Sequence, residues 1–137
     1  MLSLIGLADA GYLTITHFAP QVLECSTHGF VNCAAVTQSA QSRLLDIPVA
    51  FLGLAFYIAM TAINLPRMWR STDRRIVWLR VAMVVSGMGM VLWLLSAELL
   101  ILHHLCEFCT GVHIVTFLLF VLVMTSMPRM LLSTEQR

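Results

Sequence analysis

Four apolar stretches punctuate the chain, and their lengths set the first expectation about its surroundings. Residues 1–18 (MLSLIGLADAGYLTITHF) are short and interrupted by Asp9, whereas residues 47–65 (IPVAFLGLAFYIAMTAINL) carry no charge. Residues 78–102 enclose the clean run VAMVVSGMGMVLWLLSA, with Arg80 near one edge and Glu98 near the other; residues 105–127 contain TGVHIVTFLLFVLVMTSM, again uncharged. A helix crossing hydrocarbon needs about 20 such residues, with a range of about 17–25. The pattern predicts an all-α integral membrane protein: one domain, a four-transmembrane-helix bundle, with a long loop at 19–46 and a shorter one at 66–77. Within the long loop, AAVTQSAQSRLL predicts a short amphipathic helix on the membrane surface, with Ala35, Val36, Leu44 and Leu45 turned to lipid or to the bundle.

Composition strengthens this reading. The 137 residues are 59% hydrophobic and 11% charged, against roughly 45–50% apolar in ordinary soluble domains. Every basic residue is an arginine, and the net charge of +1 leaves no basic field to attract nucleic acid. The first segment lacks the basic lead-in and small-residue cleavage site of a signal peptide, so it is read as a retained helix. Its brevity suggests that the natural chain begins earlier. Arg67, Arg70, Arg74, Arg75 and Arg80 cluster between the second and third segments and Arg129 and Arg137 follow the fourth, while only Arg43 falls on the other side. Cytoplasmic loops collect Arg and Lys. Loop 66–77 and both chain ends are therefore expected in the cytoplasm, and loop 19–46 with the turn at 103–105 outside. All four cysteines then face an oxidising compartment, where disulfides persist.

The cysteines form two pairs. In LCEFCTGVH, Cys106 and Cys109 are three apart at the start of the fourth segment, which puts both sulfurs on one face of a helix. A thiol in a CxxC motif at a helix N-terminus is readily ionised and can attack a disulfide; the same motif also supplies two metal ligands. The second pair, Cys25 and Cys33, flanks a turn-prone stretch with Gly29 and Asn32. It is expected to be exposed and mobile, within reach of a soluble partner, while the CxxC pair lies at the lipid boundary. Two dithiols in such different settings point to an electron relay, with a simple loop staple as the bland reading of Cys25–Cys33. A lipid-soluble quinone is the acceptor that resides in that phase. His113, one turn beyond Cys109, is placed either to serve a quinone oxygen or to pair with a neighbouring helix. Asp9 and Glu98 are acids within apolar segments, which marks them for attention as proton-relay groups, although neither receives a role. The nine methionines are read as packing residues. An alternative is a metal-binding or metal-transport protein that uses the CxxC with His17, His28, His103 and His104; a third is a purely structural subunit.

Cys25-x7-Cys33, Ser39, IPVAFLGLAFY and CEFC, together with GLADAGYLTITH near the start, resemble the bacterial branch of the vitamin K epoxide reductase homologues over almost the whole chain. The resemblance implies a quinone-dependent, disulfide-generating membrane oxidoreductase of the inner (cytoplasmic) membrane, multi-pass, with its active site on the periplasmic face. It implies that Cys25 is attacked by a separate thioredoxin-fold oxidase, that Cys33 exchanges with Cys106, and that Cys109 delivers electrons to ubiquinone or menaquinone. Ser39 corresponds to a hydroxyl near the family's active centre, and Phe56, Tyr57 and His113 to residues of the quinone pocket. Animal members carry Asn where this chain has Val49 and Tyr where it has His113, so quinone reduction is expected here rather than epoxide reduction. Some bacterial members continue into a fused thioredoxin domain, which residues 1–137 do not include.

Overall fold

A computed structural model describes residues 1–25, 29–69 and 73–135. Its long helices are α1 (Leu2–Phe18), α3 (Val49–Ile63), α5 (Arg74–Ser96), which continues as a π-helical turn over Ala97–Leu102, and α6 (Glu107–Glu135). They pack in a ring: α1 lies against α3 and α6, and α5 against α6 and α3. Between α1 and α3 the chain forms a 3-10 turn (Pro20–Val22), the short α2 (Cys33–Thr37), a second 3-10 turn (Ala40–Ser42) and a hairpin of β1 (Arg43–Leu44) with β2 (Ile47–Pro48); α4 (Pro66–Trp69) follows α3.

The core is small relative to the apolar content. Ala10, Tyr57, Met60, Val84, Val115, Leu119 and Val123 bury themselves where the helices meet. Outward, each long helix presents bare hydrocarbon: Ile15, Ile58, Leu92 and Leu122 are 50–61% exposed. Apolar surface spread round a bundle in this way marks a molecule whose solvent is not water. Two helical stretches, Arg74–Leu102 and Glu107–Leu132, are long and apolar enough to cross a membrane; Val49–Ile63 is apolar but shorter.

Polar residues fix the element ends. Asp73 Oδ1 accepts from the Arg75 N–H (2.9 Å) at the start of α5, and the Asn64 side chain donates to Met60 O (2.8 Å) at the end of α3. Arg80, only 1% exposed, does not join a basic loop: its Nη2 donates to Ile63 O (2.7 Å) and Met68 O (3.0 Å), tying α5 to the end of α3.

Two expectations are corrected. The amphipathic helix expected over AAVTQSAQSRLL does not form as one piece. α2 stops at Thr37, because Ser39 Oγ donates to Val36 O (2.8 Å) and accepts from the Ser42 N–H (3.2 Å), opening a tighter turn. Leu45 and Asp46 then take left-handed backbone (φ 53° and 64°), as a two-residue hairpin turn of this hand requires. Val36 faces the bundle, buried, while Leu45 is 90% exposed. Helix α6 runs past residue 127, through Pro128, which a helix in lipid tolerates where neighbouring groups satisfy its freed carbonyl.

Candidate redox site

The long loop is strapped onto the start of α6. Leu105 donates its N–H to Phe30 O (2.8 Å) and accepts from the Asn32 N–H (3.0 Å), so Val31 and Leu105 form a parallel bridge. Gly29, with φ 63°, turns the chain into this strap in a conformation that suits glycine. Asn32 then caps α2, its Oδ1 accepting from the Ala35 N–H (3.0 Å). From the other side Tyr12 holds the approach to Cys25: its hydroxyl donates to Val22 O (3.2 Å) and accepts from the Glu24 N–H (3.1 Å). Its ring packs on Phe108 of the CxxC segment at 4.8 Å.

These contacts set the sulfurs. Cys25 and Cys33 form a disulfide, with Cα atoms 6.1 Å apart, while Cys106 and Cys109 are free thiols. The expectation of an exposed loop pair holds only for half of it. Cys25 is half-buried, but Cys33 is wholly buried and packs with Leu13, Val36 and the equally buried Cys106, because the strap folds α2 down onto the CxxC. Glu107, inside the CxxC, brings a carboxylate oxygen within 4.8 Å of both disulfide sulfurs.

Cys106 acts as the cap of α6. Its carbonyl accepts the first helical bond from Thr110 (2.9 Å), and its sulfur accepts from the Cys109 backbone N–H (3.3 Å). The Cys109 thiol hydrogen-bonds the same sulfur, and together these interactions hold the Cys106 thiol below the ordinary cysteine range despite its burial. A sulfur so poised favours the thiolate needed for exchange.

Beside the CxxC lies a mostly apolar cavity of about 450 Å³ whose wall includes Cys109 and none of the other three cysteines. Ser39, Phe56, Tyr57 and His113 all line it, as does Val49. Their hydrogen-bonding capacity differs. Ser39 gives its only proton to Val36 O, so it positions the loop. The wholly buried Tyr57 is anchored by its hydroxyl to Val112 O (3.1 Å) and Thr116 Oγ1 (2.8 Å), and Phe56 meets its ring edge-on at 5.2 Å. His113 is buried, with Nδ1 unpartnered among the described residues.

Sequence reasoning gave no role to Glu98, which lines the same wall with Oε2 unpartnered; an acid in an apolar segment was the signal. Leu44, expected to face lipid or the bundle, lies in that wall, and so does Trp93, which the sequence reading passed over because an apolar run offers no signal for it. Asp9 lies against Gly111, where a side-chain carbon would sit 2.7 Å from Asp9 Oδ2. The histidines of the metal alternative do not gather round the CxxC: among the described residues the single grouping of potential ligands is Cys25, Cys33 and Glu107, whose sulfurs already bond each other. His17 Nδ1 instead donates to Thr37 O (3.2 Å), and His28 lies outside the described residues.

The cavity suits a quinone ring by size, since small-molecule sites run to about 300–1,000 Å³. It also suits one by chemistry, with an apolar enclosure, aromatic walls and two buried polar atoms awaiting partners.

A helical fold with bare apolar outer faces, carrying a disulfide beside a dithiol of which Cys106 is buried and Cys109 half-buried, defines the class of membrane disulfide oxidoreductases. The chain belongs to the vitamin K epoxide reductase family, whose sequence model matches residues 1–124. No curated protein matches the chain.

Proposed function

We propose that the protein spans the inner membrane four times, re-oxidises a separate thioredoxin-fold oxidase on the extracytoplasmic face, and passes the electrons to ubiquinone or menaquinone. The observation that carries this reading is the graded placement of the sulfurs. Cys25 is the more exposed member of the loop pair, Cys33 and Cys106 share one buried cluster, and Cys109 alone opens on the cavity.

The partner's thiolate attacks Cys25 Sγ, breaking the Cys25–Cys33 bond and releasing Cys33 as thiolate. The partner's second thiol then displaces Cys25, and the partner leaves with a disulfide. Cys33 next attacks Cys106 of an oxidised CxxC, releasing Cys109; Cys25 attacks Cys33, restores the loop disulfide and frees Cys106. Each step forms one S–S bond and breaks one, so two electrons and two protons reach the CxxC dithiol. The pattern described above, a closed loop pair beside a free CxxC, corresponds to this loaded state. The quinone supplies a two-electron, two-proton sink. Phe56 and Tyr57 would line the site that holds it and exclude water, and the unpartnered His113 Nδ1 and Glu98 Oε2 would be available to it as hydrogen-bonding groups. Val49 and His113 in the wall favour simple quinone reduction over epoxide chemistry.

The test is anaerobic mixing of the purified full chain with a reduced thioredoxin-fold oxidase and a soluble quinone analogue. Quinone loss is expected at one equivalent per partner disulfide formed, and not at all in Cys109→Ala. Turnover that survives Cys109→Ala, or wild-type protein that oxidises the partner without consuming quinone, refutes the proposal.

A further inference from the structure

Glu98 is 2% exposed and lies within an apolar helix. Removing a carboxylate from water costs several kcal/mol unless something compensates, and a sequence that keeps one here must gain by it. The backbone around it is unusual as well. Residues Ala97–Leu102 leave the α-helical ladder for a π-helical turn, a distortion frequent at functional sites. The turn closes through the Glu98 carbonyl, which accepts from the His104 N–H (3.2 Å), and His103 ends it in left-handed backbone (φ 54°). On one side the carboxyl group has the Cys106 backbone amide as a polar neighbour. On the other it faces the cavity that Cys109 and His113 also line, where Glu98 Oε2 and His113 Nδ1 have no partner among the described residues. The side chain thus bridges the dithiol and the cavity.

Resting on the quinone reading above, we propose that Glu98 is the proton carrier between the CxxC dithiol and the quinone, with His113 carrying the second proton. Closing the Cys106–Cys109 bond removes two electrons and two protons from the dithiol. The quinone takes up both electrons, and its two carbonyl oxygens become hydroxyls. The Glu98 carboxylate accepts one thiol proton, gives it to one oxygen and returns to the carboxylate. The His113 imidazole does the same toward the other oxygen and returns to its neutral form. The π turn places the carboxyl group on this route, and the dry wall keeps its proton from escaping to water.

Three measurements on the full chain in lipid discs test this. In single turnovers of the reduced protein with a soluble quinone analogue, Glu98→Gln should slow CxxC oxidation about a hundredfold, as loss of a positioned proton-transfer group does. Glu98→Asp should recover part of the rate. Without quinone, reduction of the Cys25–Cys33 bond by the partner should keep its wild-type rate in Glu98→Gln, which also shows that the variant is folded. Time-resolved infrared spectra during a single turnover with the quinone analogue should show a transient protonated-carboxyl band in the wild type that Glu98→Gln removes and Glu98→Asp shifts. Wild-type oxidation rates in Glu98→Gln, or no carboxyl band in the wild type, would overturn the assignment while leaving quinone reduction intact. Failure of the wild type to pass electrons to any quinone would instead sink the functional reading itself.

Discussion

Gly6→Ala should unlock the bundle at its tightest point. A side-chain carbon built at Gly6 falls inside the ring of Tyr57, overlapping Cε1 and Cζ. Tyr57 cannot swing aside: it is wholly buried, its hydroxyl is fixed by Val112 O and Thr116 on α6, and Phe56 meets its ring edge. α1 is pushed away from α3, an overpacking cost of about 1–3 kcal/mol, and the displaced ring draws its hydroxyl off its partners. A side-chain hydrogen bond inside a membrane protein is worth about 0.6 and at most about 1.7 kcal/mol. The expected loss is therefore about 2–4 kcal/mol, read from reversible unfolding of the reconstituted protein in mixed detergent. A double-mutant cycle isolates the cause. In a Tyr57→Leu background the ring and hydroxyl are gone, and Gly6→Ala should cost less than about 1 kcal/mol, a coupling near the upper end for contacting residues. A neutral Gly6→Ala, or the same cost in both backgrounds, would refute the argument that the Gly6–Tyr57 contact sets the spacing of α1 and α3.

Arg80→Met should cost about 3 kcal/mol in the same assay, because it removes charge-assisted bonds to Ile63 O and Met68 O and leaves those carbonyls short of a donor; an unchanged midpoint would show the carbonyls to be satisfied otherwise. Gly87→Ala places a carbon 2.9 Å from Phe56 Cζ and 3.3 Å from Thr116 Cγ2. Phe56 is half-buried and lines the cavity, so it yields inward. The KM for a quinone analogue should rise about tenfold with stability lowered by about 1 kcal/mol, and an unaltered KM would remove Phe56 from the binding wall.

What could be read in the sequence followed from hydrocarbon patterning and from the cysteine spacing. The apolar stretch before His17 and Phe18 and the run IPVAFLGLAFY announce helices with little ambiguity, since their length and lack of charge suit little else. The loop between them was misjudged because its shape is decided by single hydrogen bonds. Ser39 could have continued a helix as readily as it opens a 3-10 turn, and nothing in RLLDIP shows that Leu45 will adopt left-handed backbone. The burial of Cys33 depends on a strap between Val31 and Leu105, residues 74 positions apart, which no local pattern encodes. Glu98 was conspicuous as an acid among aliphatics, but its meaning required the fold, which alone puts it in one wall with Cys109 and His113. Conversely His17 stood out as a potential ligand, yet its imidazole proton is given to the backbone of α2.

The same placement explains why two cysteine pairs serve better than one. In the proposed function a soluble partner reaches the loop, and a quinone stays in the apolar phase. A single pair would have to be open to both, and so open to water. Here Cys33 and Cys106, the two sulfurs that exchange in the proposed cycle, pack together out of solvent, while Cys109 is half-buried beside the cavity. In that cycle electrons pass between the pairs as a covalent S–S exchange shielded from water. Glu107 gives that exchange a direction. Its carboxylate lies within 4.8 Å of both loop sulfurs, and a negative charge that close opposes a second one on Cys33. The same region holds Cys106 with a backbone N–H and a thiol donor aimed at its sulfur, which welcomes negative charge. In the proposed cycle the thiolate born on Cys33 is destabilised where it forms, and the one freed at Cys106 when the loop disulfide closes again is stabilised, so the two end points of the exchange favour passing the electrons from the loop pair to the CxxC.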